Sequence, residues 1–489
     1  MNFEFRKLKI SEFAKVQGGY AFKSKDLGES GFPVIKITNV KERLIDLGSL
    51  QYLPEEKLQG LERFYIKNGD VLISMTGNGA HCNSALVGRT ALFEEEDDKY
   101  LLNQRVGRFI VDETKVLKNY LYYYISQPSI NYYLATISTG SANQANINAS
   151  TIEGLELNIP SINCQKQVVA ILSSLDRKIT INKRINKNLE NVAQSLFQSW
   201  FVDFDPVQAK KLALDKGLSP ALAERAAIAI ISGVCSPINF AENFEEMDKQ
   251  LSVKLSKMSI EKQEELAHTA SLFPSEFEDS ENGTIPKGFK AKLISDIADV
   301  IGGGTPSTKV EEYFCLSETG IPWLSPKDLS GYDWKYISNG ATDITELGLK
   351  KSSAKLMPKG TVVISSRAPI GYVAIAEGEL STNQGFKSLV PLEDIGSNFL
   401  YNWAKSNIVA MEAVATGSTF KEISGTNMKN LKIIVPINDL IRRFEELVEH
   451  NSELQKNLRH ETKNLEVLRD TLLPKLLAGE IDLSEVSLD

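Results

Sequence analysis

The longest regular signal in the chain is an apolar stripe that occurs twice. Ile171, Leu175, Lys178, Asn182, Ile185, Leu189, Val192 and Leu196 follow alternating steps of four and three residues. Leu447, Asn451, Leu454, Leu458, Glu461, Leu465, Leu468 and Leu472 repeat the rhythm. Such spacing keeps one face of an α-helix apolar over about four heptads, the pattern of a coiled-coil seam. Pro160 and Pro436 stand just ahead of the two stripes, where a helix can start but not continue. A helix of ~40 residues is about 60 Å long at roughly 1.5 Å per residue. The simplest expectation is that the two helices pack antiparallel on each other, with Lys178, Asn182, Asn451 and Glu461 weakening the seam but setting its register. The alternative is that each stripe packs separately on its own domain.

The segments ahead of the stripes repeat as well. Ile147 matches Ile423, Leu155 matches Leu431, and Lys187-Asn188-Leu189-Glu190 recurs as Lys463-Asn464-Leu465-Glu466. Further upstream, Gly69-Asp70-Val71-Leu72-Ile73-Ser74 resembles Gly360-Thr361-Val362-Val363-Ile364-Ser365, Asn103-Gln104 recurs as Asn383-Gln384, and Thr139-Gly140-Ser141 as Thr416-Gly417-Ser418. The repeat unit is therefore a whole domain followed by one long helix. The β-branched runs at 71–74 and 362–364, bounded by glycine turns, predict strands. The aromatic-rich stretches at 117–126 and 398–405 predict short helices. The expected class is α+β, with two globular mixed α/β domains, two long helices forming an antiparallel coiled coil, and an internal pseudo-two-fold repeat. The expected limits are a first domain at 1–160, a central long helix at 161–205, a partly helical connector at 206–285, a second domain at 286–436, and a distal long helix with C-terminal tail at 437–489. Within the connector, Phe273 to Gly283 is acidic and reads as a loop.

The net charge of −8 argues against nucleic acid only until its distribution is examined. Residues 1–160 hold 18 basic and 19 acidic side chains, and 286–436 hold 16 and 15, whereas 206–285 hold 8 and 13 and 437–489 hold 7 and 12. Each domain is near neutral and has room for a basic face. The apolar content of 42% supports real cores, and no apolar run approaches the ~18 residues of a membrane span. The opening segment has no apolar signal core, and Cys82, Cys164, Cys235 and Cys315 are scattered, so a reducing cytoplasm is the expected setting.

Catalytic patterns are missing. Gly302-Gly303-Gly304-Thr305 lacks the Gly-Lys-Ser/Thr of a phosphate loop and reads as a turn, with Gly18-Gly19 as its counterpart. His81, His268, His450 and His460 have no metal-site spacing, and there is no Gly-x-Ser-x-Gly elbow. No catalytic residue and no metal ligand is assigned.

Ser195-Leu196-Phe197-Gln198-Ser199-Trp200-Phe201-Val202-Asp203-Phe204-Asp205-Pro206 resembles the end of the central helix in specificity subunits of type I restriction–modification systems. Leu272 to Ser280, followed by Gly283-Thr284-Ile285-Pro286-Lys287-Gly288-Phe289, resembles that family's lead into its second recognition domain, and Leu472-Leu473-Pro474-Lys475-Leu476-Leu477-Ala478-Gly479-Glu480-Ile481 resembles its distal helix end. Phe289 stands where tryptophan is common, and the first domain has no matching lead-in. The resemblance covers essentially the whole chain. It implies a non-catalytic subunit that binds double-stranded DNA and holds two methyltransferase subunits and two restriction (motor-nuclease) subunits. S-adenosylmethionine, ATP and Mg2+ would then sit on those partners, with no cofactor on this chain. A scaffold carrying two non-DNA ligand domains on a coiled-coil rod is the competing class.

If the chain reads DNA, two diverged domains on a rod imply a bipartite target with an unread spacer, the rod setting an upper bound of roughly 17 base pairs. Asn and Gln can pair with adenine, but Asn103-Gln104 and Asn383-Gln384 are common to both halves and read better as architecture. Readers belong where the halves differ. The candidates are Lys23, Lys25, Lys36, Thr76, Asn78, Arg89, Arg105 and Arg108 in the first domain, and Lys309, Lys327, Lys335, Lys350, Lys351, Arg367 and Lys387 in the second. Arg367, directly after a predicted strand, is the first choice; arginine suits guanine edges and lysine suits phosphates.

Overall fold

The computed structural model describes residues 4–79, 87–141, 144–235, 244–280, 283–417 and 421–483. His81, Cys82 and Ser418 lie outside the described residues. The chain forms two compact units, Met1–Thr180 with Lys463–Asp489, and Ile181–Thr462. Each unit contains one globular domain and a part of both long helices.

In the first domain the main sheet consists of β1 (Ala14–Gly18), β2 (Val71–Ser74), β3 (Thr90–Leu92) and β4 (Val106–Val111), in the order β1-β4-β2-β3. The second domain repeats it with β5 (Ala298–Gly302), β6 (Tyr336–Ile337), β7 (Val362–Ser366), β8 (Ile370–Ala376) and β9 (Lys387–Pro391), in the order β5-β9-β7-β8-β6. Val71 to Ser74 and Val362 to Ser366 are buried throughout, so a continuous β-branched run suits them better than alternation would. Gly69 and Gly360 precede these strands at φ of 78° and 87°, a backbone region that glycine enters without the Cβ penalty. The aromatic-rich helices form at Lys118–Ile125 and Ser397–Ser406, as the sequence predicts.

Both domains close in the same way. The strand Arg6–Lys9 pairs antiparallel with Glu156–Ile159, and Lys290–Leu293 pairs antiparallel with Lys432–Val435. A short helix precedes each closing strand, capped by the Asn148 side chain in one half and by Ser424 in the other. The long helices, Ile162–Phe201 and Asn438–Ala478, then begin two residues after Pro160 and Pro436.

Within each unit the helices run antiparallel. In the first, Asp176 meets Arg469 at 2.8 Å and Gln167 donates to the Leu483 carbonyl at 2.9 Å. In the second, Asn182 meets Glu461 at 2.8 Å, Gln455 donates to Asn186 Oδ1 at 3.0 Å, and Phe197 packs edge-on against Phe444. Each domain core absorbs turns of both helices. Val168, Leu172, Leu473, Leu476 and Leu477 enter the first core; Phe197, Trp200, Phe201, Ile441 and Phe444 enter the second.

The seam differs from the sequence reading at every second position. Leu175, Asn182, Leu189 and Leu196, with Asn451, Leu458, Leu465 and Leu472, do lie buried or half-buried. The alternate positions are one residue further along. Leu172, Ile179, Asn186 and Ala193 are buried, whereas Lys178, Ile185 and Val192 are exposed and Ile171 is half-buried against the first domain. On the second helix Val448, Gln455 and Thr462 are buried and Arg469 is half-buried, whereas Leu454, Glu461 and Leu468 are exposed and Leu447 is half-buried against the second core. Hydrophobicity favoured Ile185 over Asn186 and Leu454 over Gln455. Burial goes the other way because the middle of the pair is a hydrogen-bonded layer, where Asn186 also donates to the Asp333 carbonyl at 3.0 Å.

The connector is more ordered than the sequence suggests. Among the described residues four helices, Asp205–Asp215, Pro220–Ile231, Phe244–Leu255 and Ile260–Ser271, share a small core of Ala209, Ala226, Ala227, Met247, Leu251 and Ala270. The stretch expected to be a loop forms strand Phe277–Ser280, paired with Gly283–Pro286 and anchored by Phe277 against Phe204. No described helix is long and apolar enough to cross a membrane.

Candidate nucleic-acid interface

The two sheets share one rim built from the same backbone hydrogen bonds. Ile147 N donates to the Met75 carbonyl at 2.9 Å, and Ile423 N to the Ser366 carbonyl at 3.0 Å. Met75 N donates to the Arg105 carbonyl at 2.9 Å, and Ser366 N to the Gly385 carbonyl at 2.7 Å. Thr76 bridges to Asn146 as Arg367 bridges to Glu422. The pairing of Ser74 with Val106 corresponds to that of Ser365 with Phe386, so Gly107 and Lys387 occupy matching places. Backbone and register are held constant while the side chains change.

The asparagines of the shared Asn-Gln dipeptides make local turn contacts. Asn103 Oδ1 accepts from Arg105 N at 3.4 Å and Asn383 Oδ1 from Gly385 N at 2.8 Å, so each asparagine ties its own turn. Gln384 accepts the Thr305 hydroxyl proton. Gly19 and Gly303 pass so close to this turn that an added Cβ would lie 2.1 Å from the Leu102 and Asn383 carbonyl oxygens, respectively. Gly19 and Gly303, one from each glycine run, are thus sites of close backbone approach.

At the rim of the first domain the Thr76 hydroxyl donates to Asn146 Oδ1 at 2.7 Å, and Arg105 is exposed, its side chain with no hydrogen-bond or ion-pair partner among the described residues. At the rim of the second, Glu422 holds Arg367 at 3.4 Å and Lys387 at 3.2 Å; Lys387 also reaches Ser366 Oγ at 3.5 Å. The sequence reading missed Asn146 and Glu422. The signal was the register with Ile147 and Ile423, each of which directly follows one of them.

The other candidates fall into three groups. Lys23, Lys25, Lys309, Lys327, Lys350 and Lys351 are exposed. Lys36, Asn78 and Arg89 are half-buried, with Lys36 donating to Gln51 at 2.8 Å. Arg108 and Lys335 are interior groups, which corrects their candidacy as surface contacts. Arg108 donates to the Tyr65 carbonyl at 2.6 Å, Gln17 at 2.9 Å, the Arg63 carbonyl at 3.0 Å and Asp70 at 3.1 Å. Lys335, 2% exposed, lies 5.5 Å from the Tyr336 ring centroid and 5.4 Å from that of Tyr401.

Burial lowers the Lys335 ammonium to about 8, opposed by Glu190, Glu445 and Glu449. Its folded value lies below the ordinary 10.5, so between those pH values the unfolded chain binds more protons and stability rises with pH. Below about pH 8 the full penalty is present. Wild type is therefore expected to gain roughly 2–3 kcal/mol relative to Lys335→Met from about pH 8 to 10.5. Thermal unfolding of both proteins across that range checks it; parallel pH profiles would contradict a buried, titrating lysine.

A family model described as "Type I restriction modification DNA specificity domain" matches residues 2–191 and 286–459. The Type I restriction enzyme HindI specificity subunit of Haemophilus influenzae is 30% identical over 436 residues, covering 87% of this chain and 89% of that protein. The MjaIX specificity subunit of Methanocaldococcus jannaschii is 39% identical over 194 residues, 39% of this chain and 44% of that one. In fold the chain is similar to the crystal structure of the S subunit of a type I restriction–modification system from M. genitalium, with a TM-score of 0.51 and 15% identity over 97% of this chain and 96% of that one.

Proposed function

This chain belongs to the type I restriction–modification DNA specificity family, and on that premise we propose that it reads a bipartite, asymmetric DNA site and docks methyltransferase and restriction subunits upon it. It is a specificity subunit and not itself an enzyme. The observation that carries the reading is the repetition of one sheet rim, hydrogen bond for hydrogen bond, with different side chains at matching positions. A duplicated frame with diverged contacts suits two half-sites of different sequence.

Apolar side chains left exposed on the long helices support the docking half of the proposal. Ile185 and Val192, seven residues apart and hence on one helix face, are 36% and 58% exposed, and Leu454 is 38% exposed. Two domain-and-helix repeats would present two similar surfaces to two copies of each partner. S-adenosylmethionine, ATP and Mg2+ would be carried by those partners.

The test is single-molecule sequencing of DNA from a methylation-free host that expresses the methyltransferase partner with and without this chain. A bipartite methylation motif is expected only when the chain is present. The purified complex should also lose affinity for the site steeply as salt rises, as phosphate contacts require. A soluble complex that adds no methylation and binds DNA without salt dependence would point to the non-DNA scaffold class.

A further inference from the structure

Arginine is distributed unevenly around the repeated rim. The segment 286–436 contains a single arginine, Arg367. It lies on the rim, and the matching position in the first domain is Thr76. The first domain also places an arginine there, Arg105, but from the neighbouring turn, where the second domain has Gly385. A Cβ at Gly385 would lie 2.8 Å from Pro326 Cγ and 2.9 Å from Asn383 Oδ1, so that turn has no room for a side chain. The place of Lys387 is likewise taken by Gly107 in the first domain, where Val16, Ile73 and Met75 fill the space.

We propose that this rim is the base-reading position of each domain, and that each domain reads a guanine with one arginine delivered from a different side: Arg105 from the turn before β4, and Arg367 from the end of β7. The inference rests on the DNA-recognition reading above and deepens it. A guanidinium fork fits guanine O6 and N7 in the major groove bidentately, which lysine cannot reproduce. Glu422 touches Arg367 through one nitrogen at 3.4 Å, leaving other donors of the fork uncommitted. It acts as a positioning residue, while Lys387 offsets its charge. Two other arginines of the first domain are less suited: Arg43 is tied to Asp470 at 2.6 Å and Arg108 is buried. The same frame with its arginine on opposite sides would place the contacted guanine differently in the two half-sites, so a pseudo-symmetric chain reads an asymmetric target.

The experiment uses the full complex with methyltransferase subunits. The wild-type methylation motif is determined first, and affinities are then measured on duplexes carrying one base-pair change at each read position. Wild type is expected to prefer guanine at one position in each half-site by roughly 10- to 100-fold. Arg367→Ala is expected to reduce that ratio to near one in a single half-site and leave the other intact, and Arg105→Ala to do the reverse. Arg367→Lys should keep affinity but still lose the ratio, and Glu422→Gln should reduce it partially. Unchanged ratios in the variants, full rescue by lysine, or an even loss at every position would overturn the inference. If Arg367→Ala binds no duplex, the lysine variant decides the same point. A wild-type motif without guanine in a half-site overturns the inference for that half. A wild-type complex that leaves no motif overturns the functional reading instead.

Discussion

Arg108→Ala is expected to destabilise the first domain by about 3–5 kcal/mol, because it removes one partner of a buried ion pair and strands the other. Arg108, on β4, binds two carbonyls, Gln17 and Asp70 at once. The Asp70 side chain is 8% exposed and would retain only Lys118, 3.6 Å away, as a counter-charge. The Tyr65 carbonyl would lose its Arg108 donor as well, and the Arg63 carbonyl would keep Gln17 but lose Arg108. For a domain of this size the midpoint of thermal unfolding should fall by roughly 10 °C. Arg108→Met, which keeps part of the packing, should recover little of the loss. The register places Ser388 opposite Arg108 in the second sheet, so this clamp is peculiar to the first domain. A fall in DNA affinity without a change in stability would return Arg108 to the set of DNA contacts.

Insertion of one heptad into each long helix, after Thr180 and after Thr462, is expected to lengthen the spacer of the methylated motif by roughly three base pairs. Seven residues add about 10 Å to a helix, and three base pairs span about the same length. Seven residues also restore the 3.5-residue seam, so Leu175, Asn182 and Leu189 keep their face. Both half-sites should remain as they were, because neither rim is touched. Methylome sequencing of the complex reads spacer and half-sites together. An unchanged spacer in an active complex would reject the expectation, drawn from the rod's length, that the helices bound the spacer. Insertion into one helix alone should abolish methylation, since the two helices would then differ by a heptad and the pairs Asp176–Arg469 and Asn182–Glu461, on either side of the insertion, could not both keep their register.

The helices, the repeated sheets and the family motifs were all legible because each is written in contiguous residues. The runs at 71–74 and 362–364 are strand-like over a few positions, and Pro160 and Pro436 mark helix starts locally. The mid-seam polar layer was not legible. Asn186 and Gln455 are unfavourable inside a helix pair until each supplies the other's hydrogen bond, and nothing near Asn186 in the chain announces Gln455. The interior cations follow the same logic. Lys335 reads as one more surface lysine until Tyr336, Tyr401 and Ser452 surround it.

By itself the sequence determined that this chain is two diverged copies of a mixed α/β domain, each followed by a long helix, in the family of DNA specificity subunits. Periodicity, strand-forming runs and motif strings need no distant partner to be recognised. Only the tertiary structure decided which helix face is buried, which cations are spent inside the protein, and that Arg367 meets Glu422 where Thr76 meets Asn146. Burial and charge pairing are properties of contacts between residues far apart in the chain, and the energy of a polar or charged group depends on whether such a contact exists.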